Sequence, residues 1–421
     1  MMNFVKWVSV VLGVMSLWVL LNVVSTTQGW FKEPIAPTND NASFMAEAVK
    51  SIKTEAKGNG IFVLINEGKV FDEFSYSKGE TVTTDTVFGV ASLGKWVAAY
   101  GVMKLVEQGK LDLDTPVANY LTRWQLPPSQ FDNEQVTIRR LLSHTAGITD
   151  GLGHNGFLSA EQVQPLEQHL SQALDADEGV NGQVLVGIEP GTQFKYSGGS
   201  YNLLQLIVEE VSSMSFSAYM HREVFEPLNM KNTGYDKAHF DHNLAQYFDD
   251  KGTLRQYPYY TSLAATGLYT SANDLVKFLN HNIRPNLLSA STLKQMRTPN
   301  ATSMGIDIWG LGVMLFASNN TDDFIIGHGG QSPSLNATLR VNPNTGNGII
   351  MLSTGNRSLA ADTATKWTLW ETGNPDIYML KNMIPKMFKT TAIGCLVILF
   401  LSLLYILMAR RKAKKLATRK H

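Results

Sequence analysis

Hydrophobic positions fall into three regimes along the chain. Near the N-terminus an apolar run extends from Trp7 to Leu21 and on through Val23 and Val24, after one early charge, Lys6. Near the C-terminus, Thr391 to Ala409 is free of charge and about as long as the ~20 residues a membrane-spanning helix needs. Between them, short alternating or wholly apolar runs read as strands, and runs with apolar residues every three or four positions read as helices.

After a polar, proline-bearing linker from Thr26 to Ala42, Phe44 to Ala56 predicts an amphipathic helix with Phe44, Ala48, Val49 and Ile52 on one side. Ile61–Ile65 and Lys69–Tyr76, joined through Asn66-Glu67-Gly68, predict a β-hairpin with its favoured glycine. Trp96 to Val106 is apolar on nearly every side, the mark of a buried central helix, and Gln108-Gly109 supplies its stop. A charged, loop-rich stretch to Val136 precedes a short helix, Thr137–Leu142, which ends in Ser143-His144-Thr145-Ala146-Gly147. Leu203, Leu204, Ile207 and Val211 recur at helical spacing, and Phe216–Phe225 follows as a second helix. Thr270 or Ser271 is placed to cap a helix. Gly310–Ala317, Phe324–Gly327, Asn336–Val341 and Gly348–Leu352 predict strands, and Ala360–Glu371 a covering helix. Strands near both ends of this region imply one antiparallel sheet closed by early and late segments, with a helical insertion over about 113–260.

Composition narrows the function. Lys+Arg equals Asp+Glu at 36 each, so there is no basic footprint for a nucleic-acid partner. The single cysteine, Cys395, lies in the C-terminal apolar run, which rules out an intrachain disulfide or a cysteine metal site. H-E-x-x-H, a phosphate loop ending in Gly-Lys-Ser/Thr, and G-x-S-x-G are all missing from the sequence.

What remains is an S-x-x-K pair, Ser92 and Lys95, at the mouth of the buried helix. If Ser92 opens that helix, Lys95 lies one turn on, within reach of the hydroxyl. Burial can lower the lysine pKa enough for it to take the serine proton. Alone, the pair also reads as a polar helix start with a snorkelling lysine. Two later stretches add to it: Lys195-Tyr196-Ser197-Gly198-Gly199 before an apolar helix, and Ile326-Gly327-His328-Gly329-Gly330-Gln331 ending an apolar strand.

In this order the three motifs resemble those of the serine β-lactamase-like hydrolases of the class C type. Their relatives among low-molecular-mass penicillin-binding proteins, DD-peptidases, D-aminopeptidases and esterases share the pattern. The resemblance covers about Ile61 to Asn356 and includes Ser143–Gly147, whose His144 is read as a structural histidine bonding the backbone of the next loop. It implies an α/β (α+β) fold with an antiparallel sheet flanked by helices and an inserted all-helical subdomain, to which the charge-free run Thr391–Ala409 adds a terminal transmembrane helix. It implies Ser92 as nucleophile, Lys95 and Tyr196 as proton carriers, and the backbone N–H groups of Ser92 and Gln331 as oxyanion donors. His328, Gly329, Gly330 and Gly198 would line the substrate, and no cofactor or metal is called for.

Two positions depart from the β-lactamases: Gly198 stands where their tyrosine motif ends in asparagine, and His328 where they carry lysine. Both weaken the case for penicillin hydrolysis. The expected function is a D-amino-acid peptidase or carboxypeptidase, with a carboxylesterase, a β-lactamase or a non-catalytic scaffold on the same fold as alternatives. Substrates would be small molecules or peptides.

The expected layout is a signal peptide or signal anchor over 1–30, with both readings open, and a hydrolase domain over 31–375. A transmembrane helix over 388–409 and a basic tail over 410–421 follow. Arg410, Arg411, Lys412, Lys414, Lys415, Arg419 and Lys420 put that tail in the cytoplasm and the domain outside. Nothing in the sequence speaks to oligomeric state.

Overall fold

The computed structural model describes residues 4–151, 154–321 and 323–417, so Arg419 and Lys420 lie outside the described residues. The chain divides into two compact units, Ile35–Thr372 and Met1–Pro34 with Gly373–His421.

The second unit holds two long helices, α1 (Phe4–Thr27) and α11 (Ile377–Ala417). Val5–Thr27 and Ile377–Lys412 are each long and apolar enough to cross a membrane. The two helices touch: Trp18 Nε1 donates to Thr391 O at 3.2 Å. A Cβ built on Gly394 would lie 2.1 Å from that indole nitrogen, so the glycine permits the approach. Helix α11 begins well before the charge-free run and contains Pro385.

In the unit Ile35–Thr372, α2 (Asn41–Glu55) leads to the hairpin β1 (Gly60–Asn66) and β2 (Lys69–Tyr76), whose turn residues Glu67 and Gly68 both have positive φ. Then come β3 (Val87–Gly89), a 3-10 turn over Ala91–Leu93 and α3 (Gly94–Glu107). The segment 113–260 carries α4 (Ile138–Leu142), α5 (Leu166–Ser171), α6 (Gly198–Ser212), α7 (Phe216–Met220) and a small ribbon of β4 (Tyr247–Phe248) with β5 (Leu254–Arg255). After it come β6 (Tyr269–Ser271), α8 (Ala272–Ile283), α9 (Ala290–Arg297), β7 (Ala301–Ser303) and β8 (Ile306–Trp309). The last elements of the unit are β9 (Met314–Ser318), β10 (Phe324–Gln331), β11 (Leu335–Val341), β12 (Gly348–Thr354) and α10 (Leu359–Thr372).

The main sheet is antiparallel in the order β2-β1-β12-β11-β10-β9-β8-β7. Strand β1 pairs with β12, Gly60 opposite Ser353, so early and late segments close one sheet as the sequence predicts. β11 and β12 are buried along their full length. Their alternate residues therefore serve two faces: Leu339, Ile350 and Leu352 join the core that includes α3 and α8, while the Arg340 guanidinium donates to Ala364 O and Thr368 Oγ1 of α10.

Helix α3 is buried on almost every side, as its sequence predicts. Trp96 meets Phe278 of α8 edge-on at 5.0 Å, and Gly101 lets α7 come close, since a Cβ there would lie 2.4 Å from Met220 Sδ. Ser271 caps α8 by accepting from Asp274 N. Helix α9 and strands β7 and β8 are new relative to the sequence reading; each is short, and α9 buries only Thr292, Leu293 and Met296, too little for a clear period.

Candidate active site

Strand β3 delivers the chain to the turn that carries Ser92. Val90 N donates to Leu268 O at 3.1 Å, and Ala91 then takes φ +46°, a left-handed conformation that costs a non-glycine residue about 1–3 kcal/mol and persists only where packing enforces it. Ser92 follows in the 3-10 turn and not in the first turn of α3, a shift of two residues from expectation. The turn leaves Ser92 half-buried between buried Ala91 and Leu93.

Lys95 is fully buried. Its Nζ lies 3.1 Å from Ser92 Oγ and donates to Ala265 O at 2.7 Å. Burial pulls its pKa from 10.5 down to about 7, against a smaller opposing pull from Asp150. A neutral amine has two N–H bonds and one lone pair. With one N–H held by Ala265 O, the lone pair can be turned to the serine proton.

Tyr196 is brought to the same place from the other side. Lys95 Nζ sits 5.0 Å from its ring centroid, and the His144 ring packs against it at 4.3 Å. His144 Nδ1 accepts from Ser197 N at 3.2 Å. Burial, then Lys95 and His328, hold its pKa well below the usual histidine value, so it stays a neutral spacer fixing the tyrosine loop, as the sequence reading has it. Lys195 N to His144 O at 2.8 Å and Gly191 N to Thr145 O at 2.7 Å stitch the same two loops together.

Strand β10 forms the opposite wall. A Cβ on Gly330 would lie 1.9 Å from Val90 O, so only glycine lets the strand rest on the turn that carries Ser92. Gly329 is half-buried, and a Cβ there would meet only Ala337 O at 3.7 Å. His328 is buried, its Nδ1 2.6 Å from Gly329 O and its ring edge-on to Trp309 at 5.3 Å. Burial, then Lys95, lower its pKa to about 3, so it is neutral at physiological pH. The exposed Gln331 side chain donates to Arg357 O at 2.9 Å. Gly198 is buried as the first residue of α6.

Sequence reasoning missed several supporting residues. Asp150 accepts from Ser197 Oγ and, at 2.6 Å, from Gly199 N, and burial raises its pKa. Trp309 packs against His144, Phe194, Tyr196 and His328 and donates to Leu142 O at 3.1 Å. These residues have no local signature, because their partners lie far away in the chain; only the Ser197 cap of α6 is a sequence-local signal. Among the described residues, one side-chain group has metal-ligand geometry, His154, His169 and Asp175, and it includes none of the predicted site residues.

Comparison with known proteins agrees with this architecture. A family profile described as Beta-lactamase matches residues 45–374. Protein flp of Staphylococcus aureus (strain COL) is 24% identical over 304 residues, covering 69% of this chain and 58% of flp. The putative penicillin-binding protein PbpX of Bacillus subtilis (strain 168) is 28% identical over 225 residues, 52% of each chain. The chain thus spans less than two thirds of the length of these curated relatives. Among solved structures, the octameric penicillin-binding protein homologue from Pyrococcus abyssi superposes with TM-score 0.64 at 25% identity over 77% of both chains. EstCE1, a hydrolase with promiscuous acyltransferase activity, superposes with TM-score 0.65 at 20% identity over 79% of this chain and 98% of its own.

Proposed function

Since this chain belongs to the beta-lactamase family, we propose that it is a serine hydrolase working through an acyl-enzyme on Ser92. The carrying observation is a buried Lys95 with pKa near neutrality, 3.1 Å from the serine hydroxyl. Lys95 accepts the proton as Ser92 Oγ attacks the acyl carbon. Tyr196, beside the same amine, passes its proton to the leaving group and recovers the one Lys95 holds; water then attacks the acyl ester, giving its proton to the same pair as that pair returns one to Ser92 Oγ. The backbone N–H groups of Ser92 and Gln331 hold the oxyanion, each worth roughly 3 kcal/mol.

For substrate we propose D-amino-acid peptides first. Carboxylesters are the second reading, favoured by the neutrality of buried His328, which provides no fixed cation for a substrate carboxylate. The same neutrality, with Gly198 in the tyrosine motif, supports slow acylation by penicillins and no efficient turnover of nitrocefin. A screen of D-Ala-D-Ala peptides, short p-nitrophenyl esters and nitrocefin ranks the three, and efficient nitrocefin turnover would reverse the ranking. Fluorophosphonate labelling that survives Ser92→Ala would remove the nucleophile assignment itself.

We further propose that α1 is a retained anchor paired with α11 through Trp18 and Gly394, with the hydrolase unit outside the cytoplasm. The basic cluster from Arg410 onward supports a cytoplasmic C-terminus. Protease added to spheroplasts should digest the hydrolase unit and spare a tag placed after His421. Digestion of that tag would overturn the orientation.

A further inference from the structure

A second polar cluster lies behind the tyrosine loop. The side chains of His154, His169 and Asp175 are 2, 0 and 1% exposed. Asp175 Oδ1 lies 2.6 Å from His169 Nε2 and 3.6 Å from His154 Nδ1, and Asp175 Oδ2 accepts from Gly156 N at 3.0 Å. The far nitrogens of the rings, His154 Nε2 and His169 Nδ1, converge on Asn202 of α6, 3.2 and 3.3 Å from its Nδ2. His154 Nδ1 is buried and makes no hydrogen bond among the described residues, although it points at the carboxylate.

We propose that His154 Nδ1, His169 Nε2 and Asp175 Oδ1 form a divalent-metal site of the zinc class, with Asn202 orienting both rings. Nitrogen and carboxylate ligands are the donor set such an ion takes, with three protein atoms and water completing a tetrahedron. All three donor atoms lie within 4.8 Å of one another. Tetrahedral bonds of about 2.0–2.2 Å place ligand atoms about 3.3–3.6 Å apart. The His154–Asp175 spacing of 3.6 Å already fits, and the 2.6 Å His169 contact opens by less than one ångström on loading.

The amide of Asn202 has the same shape turned end for end. So turned, its oxygen accepts N–H from both rings, as the outer partners of ligating histidines do. Both rings then present bare lone pairs to the carboxylate. Each ring changes tautomer, no net proton is lost, and three acceptors face one point where a cation belongs. The ion ties the loops carrying His154 and Asp175 to α5, which carries His169, and through Asn202 to α6, five residues beyond Ser197. The site is separate from the acyl-enzyme reading and stands or falls without it.

The test uses the full chain, untagged, purified in detergent without chelator. Metal analysis should find about one zinc per chain. Chelation should lower the melting temperature, and added Zn²⁺ or Co²⁺ should restore it, cobalt giving the visible spectrum of a tetrahedral site. His169→Ala and Asp175→Asn should lose the metal, and Asn202→Ala should weaken zinc binding about 10–100-fold. Only trace metal in the wild-type protein, with no shift of melting by either ion, would overturn the proposal whether or not the variants fold. So would zinc binding unchanged in folded His169→Ala.

Discussion

Two buried polar regions flank the tyrosine loop, and burial acts on them in opposite ways. Around Ser92 the charged forms lack compensating partners. Lys95 has one neighbouring carbonyl and the serine hydroxyl, and its pKa falls to about 7; His328 falls to about 3. Around Asp175 burial alone would raise the carboxyl, yet the neighbouring His154 and His169 rings outweigh it and hold the group well below its usual range. Under-compensated burial leaves Lys95 near a protonation change at working pH, which suits proton transfer, and holds His328 neutral. Compensated burial fixes a charge and stiffens the loops that carry it.

The largest expected effect lies on the reactive side. Ser92→Ala should remove turnover by about 10⁴-fold or more and leave melting nearly unchanged, because one half-buried hydroxyl contributes little to folding. Activity and thermal denaturation measured together check both halves.

Lys95→Met sharpens the comparison by separating activity from stability. Turnover should fall to a similar extent, while folding stability rises. A pKa moved from 10.5 to about 7 corresponds to about 4 kcal/mol at neutral pH, of which about 1–3 kcal/mol is offset by the orphaned Ala265 carbonyl. The folded-state pKa lies below the unfolded one, so between about pH 7 and 10.5 the unfolded chain holds more protons. Wild-type stability therefore gains with pH across that window, and the variant should lose that gain in urea titrations. A destabilised variant would place Lys95 with the compensated groups.

Next in size is a pair of glycines on one strand. Gly330→Ala drives a methyl into Val90 O, which lies 1.9 Å from its position, and should cost about 3 kcal/mol or more, together with most probe labelling. Gly329→Ala has room and should stay within about 0.5 kcal/mol. Equal effects at the two sites would contradict the packing of β10 on the turn that carries Ser92. A smaller loss than that of Gly330→Ala is expected at Asp150→Asn, where one of two donors, Ser197 Oγ or Gly199 N, loses its acceptor at about 1–3 kcal/mol by thermal melts.

The two regions also differ in how far the sequence exposes them. The reactive side is built from contiguous stretches whose spacing alone brings groups together: Ser92 and Lys95 are one turn apart, and Gly329 and Gly330 follow His328 on a strand of clear apolar pattern. The hairpin of β1 and β2, the all-apolar α3 and the strands β10 to β12 were legible for the same reason. Asp150, His154, His169, Asp175 and Asn202 were not, since each sits in a loop or helix with no local pattern and meets its partners across 6 to 49 residues of chain. The 3-10 turn at Ala91–Leu93 was also hidden, because the strained φ of Ala91 is imposed by Leu268 and Gly330 from distant segments.

The proposed chemistry depends on Lys95 as a buried amine poised to lose its proton near pH 7. The rate of covalent labelling of Ser92 by a fluorophosphonate, followed from about pH 5 to about pH 10, tests it most directly, because only the neutral amine can accept the serine proton. The rate should climb with pH to a plateau, with a midpoint near the value of about 7 set by burial, and Lys95→Met should flatten and lower the curve. A midpoint near the ordinary lysine value of 10.5, or an unchanged curve in Lys95→Met, would contradict the account.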